Sequence, residues 1–164
     1  MSTAPIIRPA RPEDAAAIVA LINKLAAFER APGAVTLTEE TVRRDAFGPD
    51  RRFEVLLAEN EGGLCGGVTL LAGYSSWAGA PALIVHDLHV DATARGRGVG
   101  RALLEAAAAL ALARGCCRID VNVLSWNQPA RRFYQELGFA PLADWLPHRL
   151  DAEGLRRLAS ARTS

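Results

Sequence analysis

Ala82-Leu83-Ile84-Val85-His86-Asp87-Leu88-His89-Val90 reads as a β-strand, Arg95-Gly96-Arg97-Gly98-Val99-Gly100 as a glycine-rich loop, and Arg101 to Arg114 as a helix. A strand that runs through a glycine turn into a helix N-terminus is an arrangement that binds phosphate. Unpaired backbone N–H groups converge there, and the helix dipole adds partial positive charge. Gly96, Gly98 and Gly100 remove the Cβ atoms that would hold a ligand away, and they permit φ > 0. Arg95, Arg97 and Arg101 set charge around the same cradle. No Gly-Lys-Ser/Thr follows, so this is not a Walker A loop. Its G-x-G-x-G spacing, without an acid about 20 positions later at a second strand end, fits a dinucleotide fingerprint poorly. A plain structural turn and an anion site both remain, and three glycines with three arginines favour the anion.

Working upstream, Phe53 to Ala58 and Leu64 to Tyr74 read as two strands of a hairpin across the turn-rich Glu59-Asn60-Glu61-Gly62-Gly63. Ser75 to Pro81 breaks the pattern before the decisive strand. Pro5 to Arg8 reads as a short first strand. Pro12-Glu13-Asp14 then opens a helix, with acids in its first turn. Ile18, Leu21, Ile22 and Leu25 make one apolar stripe at helical spacing. A second helix starts after Thr38 and stops at Gly48-Pro49.

Downstream, Gly115 ends the long helix in the position favoured for a left-handed cap. Arg118 to Val123 is a further strand, and Pro129 to Leu137 a helix ended by Gly138. Short strands are expected near Phe139 to Leu142 and Trp145 to Leu150. Asp151 then caps a last helix with Leu155 and Leu158 facing inward. Hairpin strands first, then strand, loop, helix and strand, give a mixed α/β order around one sheet.

The whole chain is about the size of one domain: 164 residues, half of them hydrophobic and 23% charged. A formal charge of +1 gives no support for nucleic acid or an anionic membrane as partner. Three cysteines, Cys65, Cys116 and Cys117, fit neither a disulfide framework nor zinc spacing. Met1 to Asp14 has no apolar core for a signal peptide. The greasy run Ala102 to Ala113 is too short to span a bilayer and carries Glu105. A cytoplasmic location with reduced thiols is expected. His86 and His89 are three apart on a strand, so they point to opposite faces and make no metal pair. On that alternation His86 shares a face with Leu88 and Val90. A histidine with its ordinary pKa near ~6.5 accepts a proton at neutral pH.

Arg95-x-x-Gly98-x-Gly100 at a strand end resembles the pyrophosphate-binding motif of GNAT-superfamily acetyltransferases. Downstream, Asn127-Gln128-Pro129-Ala130-Arg131-Arg132-Phe133-Tyr134-Gln135-Glu136-Leu137-Gly138-Phe139 is similar to that family's N-x-x-A-x-x-F-Y-x-x-x-G-F pattern. Ala130 and Tyr134 share a helix face, and Phe133 and Leu137 form a second pair that can point into the core. Asn127 sits where it can cap the helix or bond a ligand amide. On spacing alone Tyr134 is a core tyrosine at a helix end. The resemblance alone gives it a role, as the acid that protonates departing CoA.

The likeness runs over nearly the whole chain. Leu21-Ile22, Glu29, Leu37-Thr38-Glu39, Tyr74-x-x-Trp77 and His148-Arg149-Leu150 are similar to spermidine/spermine acetyltransferases and their thialysine-acetylating relatives. The resemblance implies one domain over residues 1–164, with a mostly antiparallel sheet splayed in a V and flanked by helices. It implies acetyl-CoA as cosubstrate, with pantetheine lying along Leu88, His89 and Val90. Arg95, Gly96, Arg97, Gly98, Val99, Gly100 and Arg101, with Asn127 and Ala130, complete the implied cofactor site. It also implies a base at His86 or Asp87, a small primary amine as acceptor near Glu29, Trp77 and Asp87, and a homodimer; from the histidine and cysteine spacing no metal is expected. A CoA-binding regulatory module and a protein lysine or N-terminal acetyltransferase are the alternatives. The polyamine enzymes carry Glu-Asp where this chain has His86-Asp87, and several acids where it has Glu29-Arg30-Ala31. Spermine is therefore a poor fit.

Overall fold

The structure, a computed structural model, describes residues 4–163 as two compact units meeting in sequence at Val123/Leu124. The first holds the sheet. Strands β1 (Ile6–Pro9), β2 (Glu54–Asn60), β3 (Gly63–Ser75), β4 (Ala80–Val90) and β5 (Ile119–Val121) lie side by side in chain order. The first four pair antiparallel, and β5 joins β4 in parallel. Helix α1 (Ala15–Phe28) follows a short 3-10 turn at Pro12–Asp14, and α2 (Glu39–Phe47) is capped by Thr38, whose hydroxyl accepts from the Thr41 N–H. Helix α3 (Val99–Ala113) carries the chain from β4 to β5.

The helices α1 and α3 reach the sheet where β3 has no side chains. A Cβ on Gly67 would stand 3.0 Å from Leu21 Cδ1 and 3.1 Å from Leu57 Cδ2. One on Gly66 would stand 2.9 Å from the His89 carbonyl oxygen and 3.3 Å from Val99 Cγ1. Successive residues face opposite sides of a strand, so Gly67 admits α1 and Gly66 admits α3. On the α1 side Ala15, Ile18 and Leu21 close over Val42, Ala46, Val55 and Leu57. The apolar stripe read from sequence is thus half right in depth: Ile18 and Leu21 are buried, while Ile22 and Leu25 are half-buried. The Arg8 guanidinium holds Asp14 at 2.7 Å and Glu59 at 2.7 Å, fixing the start of the chain against β2. This pairing lowers the Asp14 pKa below the usual carboxylate range. Arg114, at the end of α3, grips Glu54 with two hydrogen bonds of 2.6 and 2.8 Å.

Two irregularities shape β4. Its pairing with β5 runs from Leu83/Ile119 to Val85/Val121 and no further, so the two strands part there and His86 to Val90 lose that neighbour. On the other side the register with β3 slips, Thr69 opposing Asp87 and Leu70 opposing Val85. His86 is the extra residue of this bulge. The bulge suspends alternation. The His86 ring reaches the Asp87 carboxylate, its Nδ1 2.9 Å from Oδ2, instead of sharing a face with Leu88 and Val90 as the unbroken pattern suggested. The opposite-face reasoning for His86 and His89 fails for the same reason.

The second unit contains α4 (Gln128–Glu136) and α5 (Ala152–Ser160). The strands expected near Phe139 to Leu142 and Trp145 to Leu150 are absent: both segments are irregular and pair with nothing in the sheet. Of the apolar residues that suggested strands, Phe139 is half-buried, while Leu142, Trp145 and Leu146 are all exposed. Leu155 and Leu158 are exposed too, so α5 does not bury the face read as inward.

Candidate active site

The parting of β4 from β5 leaves one edge of His86 to Val90 without a strand partner, so its backbone groups there are available to an extended ligand. The chain then turns through Ala92–Ala94 into Arg95 and the glycine loop. Gly96 and Gly98 have φ of 73° and 79°, conformations that a residue with a side chain adopts only with strain. A Cβ at either would meet nothing within 4 Å, so open space lies around this turn. Gly98 is the N-cap of α3 and supplies no side-chain cap to the first helical N–H groups. Gly100 lies within the helix and needs no special φ. Arg97 and Arg101 are exposed beside the loop. Arg95 is turned back instead: its Nε donates to the Val90 carbonyl at 3.0 Å and its guanidinium lies 5.2 Å from the Phe28 ring centre. It braces the loop against β4 and α1. Backbone donors, helix dipole and two exposed arginines form a donor set suited to a pyrophosphate.

Glu29, His86 and Asp87 come together where α1 ends over β4. Partial desolvation, with the neighbouring Asp87 charge, raises the Glu29 pKa above the usual carboxylate range, and His86 pulls the other way. Asp87 is fixed from β3: its Oδ2 accepts from Thr69 Oγ1 at 2.5 Å, and its N–H donates to the same oxygen at 3.0 Å. Asp87, Thr69, Gly67 and His89 line a shallow pocket beneath Ile18, Leu21 and Ile22. His89 is buried, which lowers its pKa despite its contact with Asp91 at 3.3 Å. Lys24 holds that same Asp91 oxygen at 2.8 Å. Sequence reasoning named Glu29, His86 and Asp87 but missed Thr69. A lone threonine on a strand carries no signal until the bulge aligns it with Asp87.

Trp77 stands at the tip of the β3–β4 hairpin, 96% exposed. The seven residue steps from Ala80 to Asp87 span roughly 23 Å of strand, which sets Trp77 far from the carboxylates within one chain. In the second unit, Asn127 Oδ1 accepts from the Ala130 N–H at 3.2 Å, so its side chain is the cap of α4. Tyr134 is the buried residue of α4, edge-on to Phe133 and Phe139 with centroids 5.3 Å away in each case. Phe133 and Leu137 are only half-buried. Among the described residues no group of three or more His, Cys, Asp or Glu is arranged to hold a metal ion, and no helix is long and apolar enough to cross a membrane.

The Acetyltransferase (GNAT) family profile matches residues 19–139, which takes in most of α1, the sheet opening, the glycine loop and α4. The chain belongs to this family. GNAT enzymes use acetyl-CoA as cosubstrate, and the chain is an acetyl-CoA-dependent N-acetyltransferase. It is 35% identical to a thialysine N-epsilon-acetyltransferase of Mus musculus, over 93% of this chain and 96% of the relative. It is 31% identical to a spermidine/spermine N(1)-acetyltransferase-like protein 1 of Homo sapiens, over 93% of this chain but 23% of that longer protein. In fold it is similar to an integron cassette protein of V. cholerae, with a TM-score of 0.80, 22% identity, and coverage of 96% of this chain and 98% of that one.

Proposed function

We propose that this GNAT protein acetylates a primary amine of a small molecule, of diamine, polyamine or lysine-analogue type, by direct attack on acetyl-CoA. The observation that carries this reading is the free edge of His86 to Val90 leading into the glycine loop, with Glu29, His86 and Asp87 at its start. Thialysine acetylation by the mouse relative supports an amine on an amino-acid-like chain. Pantetheine lies along Leu88, His89 and Val90, and the N–H groups of that edge polarise the thioester carbonyl. Gly96 to Arg101 hold the pyrophosphate. Asn127 holds the α4 turn at Ala130, beside which the ligand passes.

The acceptor arrives as an ammonium ion, balanced by Glu29 and Asp87; Trp77, far from them within one chain, is assigned to acceptor binding from the partner subunit of a homodimer. His86 or Asp87 takes one proton from it. The amine nitrogen bonds the acetyl carbon, the carbon–sulfur bond breaks, and Tyr134 gives its phenolic proton to the CoA thiolate, while the nitrogen sheds its second proton to the phenolate as the amide forms. Two carboxylates suit a short acceptor with one or two charges better than spermine. We assign the two units to one acetyltransferase domain, since the family match crosses Val123/Leu124. We further assign a homodimer and a cytoplasmic setting, the latter supported by three unpaired cysteines, one of them exposed.

Thiol release from acetyl-CoA tests the reading on a panel of polyamines, lysine analogues, aminoalkyl compounds and lysine peptides. Release that depends on a small amine, with the acetylated amine as product, is expected. Binding of CoA without amine-dependent release would indicate a regulatory module, and release with peptides alone a protein acetyltransferase.

A further inference from the structure

Asp87 Oδ2 has two partners on the same oxygen: Thr69 Oγ1 at 2.5 Å, across the β3–β4 ladder, and His86 Nδ1 at 2.9 Å. Thr69 Oγ1 also accepts from the Asp87 backbone N–H at 3.0 Å. An ionised carboxylate only accepts, so both of its partners must be donors. The threonine proton is therefore committed to Oδ2, and a neutral His86 must carry its proton on Nδ1. That leaves Nε2 with a lone pair, on a side chain that is 62% exposed. The bulge makes this possible, because it brings the side chains of two successive strand residues together. Thr69 is buried, and its hydroxyl is locked in a closed two-bond ring with Asp87.

We infer that Thr69 is a positioning residue: it pins Asp87 so that Asp87 holds His86 as the Nδ1–H tautomer, and His86 Nε2 is the atom that takes the amine proton. The inference rests on the acetyl-transfer reading and decides which of His86 and Asp87 is the base. In the step, the ammonium N–H bond breaks, its electron pair stays on the amine, and the proton bonds Nε2, directly or through one water. The imidazolium that forms is balanced by Asp87, whose Oδ2 already receives both donors. Glu29 is the charged group facing this pair from α1; His89, with Asp91 and Lys24 behind it, is the next along β4. Asp87 orients and Glu29 attracts.

The test is a long-range 1H–15N correlation spectrum of the imidazole rings in 15N-labelled protein, at a pH where His86 is neutral, alongside kcat/KM for one amine. Wild type and Thr69→Ser should show Nδ1 protonated and Nε2 bare. Thr69→Val should lose that preference, with kcat/KM down about 10-fold or more and Thr69→Ser near wild type. An Nε2–H tautomer in wild type would overturn the inference even if Thr69→Val does not fold, as would a folded Thr69→Val with unchanged tautomer and rate. Absence of amine-dependent turnover in a wild type with bare Nε2 would instead count against acetyl transfer itself.

Discussion

Two pairs of glycines do opposite work in this molecule. Gly66 and Gly67 lie in the middle of the sheet, in ordinary extended backbone, with neighbours that leave no room for a methyl group. Gly96 and Gly98 lie in a loop, in left-handed backbone, where a Cβ would meet nothing within 4 Å. The first pair is glycine because the protein fills the space, and the second because the backbone there is left-handed. One pair serves packing, and the other is the pair to which we assign cofactor binding. Only the second stands in a motif.

The contrast is sharpest in crossed mutants. Gly67→Val should have the largest effect, destabilising the fold by about 3 kcal/mol, since its Cβ alone would crowd Leu21 and Leu57. In a chain of this size that is a fall in Tm of roughly 6–12 °C, read by thermal melting. CoA affinity of the folded fraction should stay near wild type, and a large loss of affinity would blur the distinction between the pairs. Gly98→Val should behave the other way. It strains a φ of 79° at a cost of about 1–2 kcal/mol, while calorimetry with CoA shows affinity down about tenfold or more, as expected for loss of one anchoring contact. Wild-type affinity in this mutant would break the comparison.

The smallest effect concerns His89, whose carbonyl oxygen would meet a Cβ on Gly66 and whose burial lowers its pKa. The folded state binds the His89 proton less readily than the unfolded chain does. Stability is therefore fully present above the ordinary histidine value of about 6.5 and is lost as pH falls through the lowered one. Urea unfolding between neutral and mildly acid pH should show that loss, and His89→Gln should flatten it. An equal slope in the mutant would remove His89 as the cause.

How far the sequence reveals this molecule follows from the same contrast. Helix periodicity, the Thr38 and Asn127 caps and the Gly115 stop are local, so α1 to α4 stand close to where the pattern puts them. The glycine loop is legible because a strand, a φ > 0 turn and a helix start are written consecutively. The bulge at His86 is not legible. It comes from slippage of β4 against β3, and so Thr69 and the true facing of His86 stay hidden. The segment Phe139 to Leu150 fails for a related reason. Apolar residues suggest strands, but a strand needs a partner, and local pattern cannot say whether one is there. Gly66 and Gly67 were simply two glycines in a strand until α1 and α3 were set against them.

Amide hydrogen exchange, measured on the protein free and saturated with CoA, addresses the central claim that the open β4 edge and the glycine loop hold the cofactor. Slowed exchange concentrated in His86 to Val90 and in Gly96 to Arg101, with the β1–β2 amides unchanged, is the expected result. Exchange unaltered in both segments at saturating CoA would contradict it.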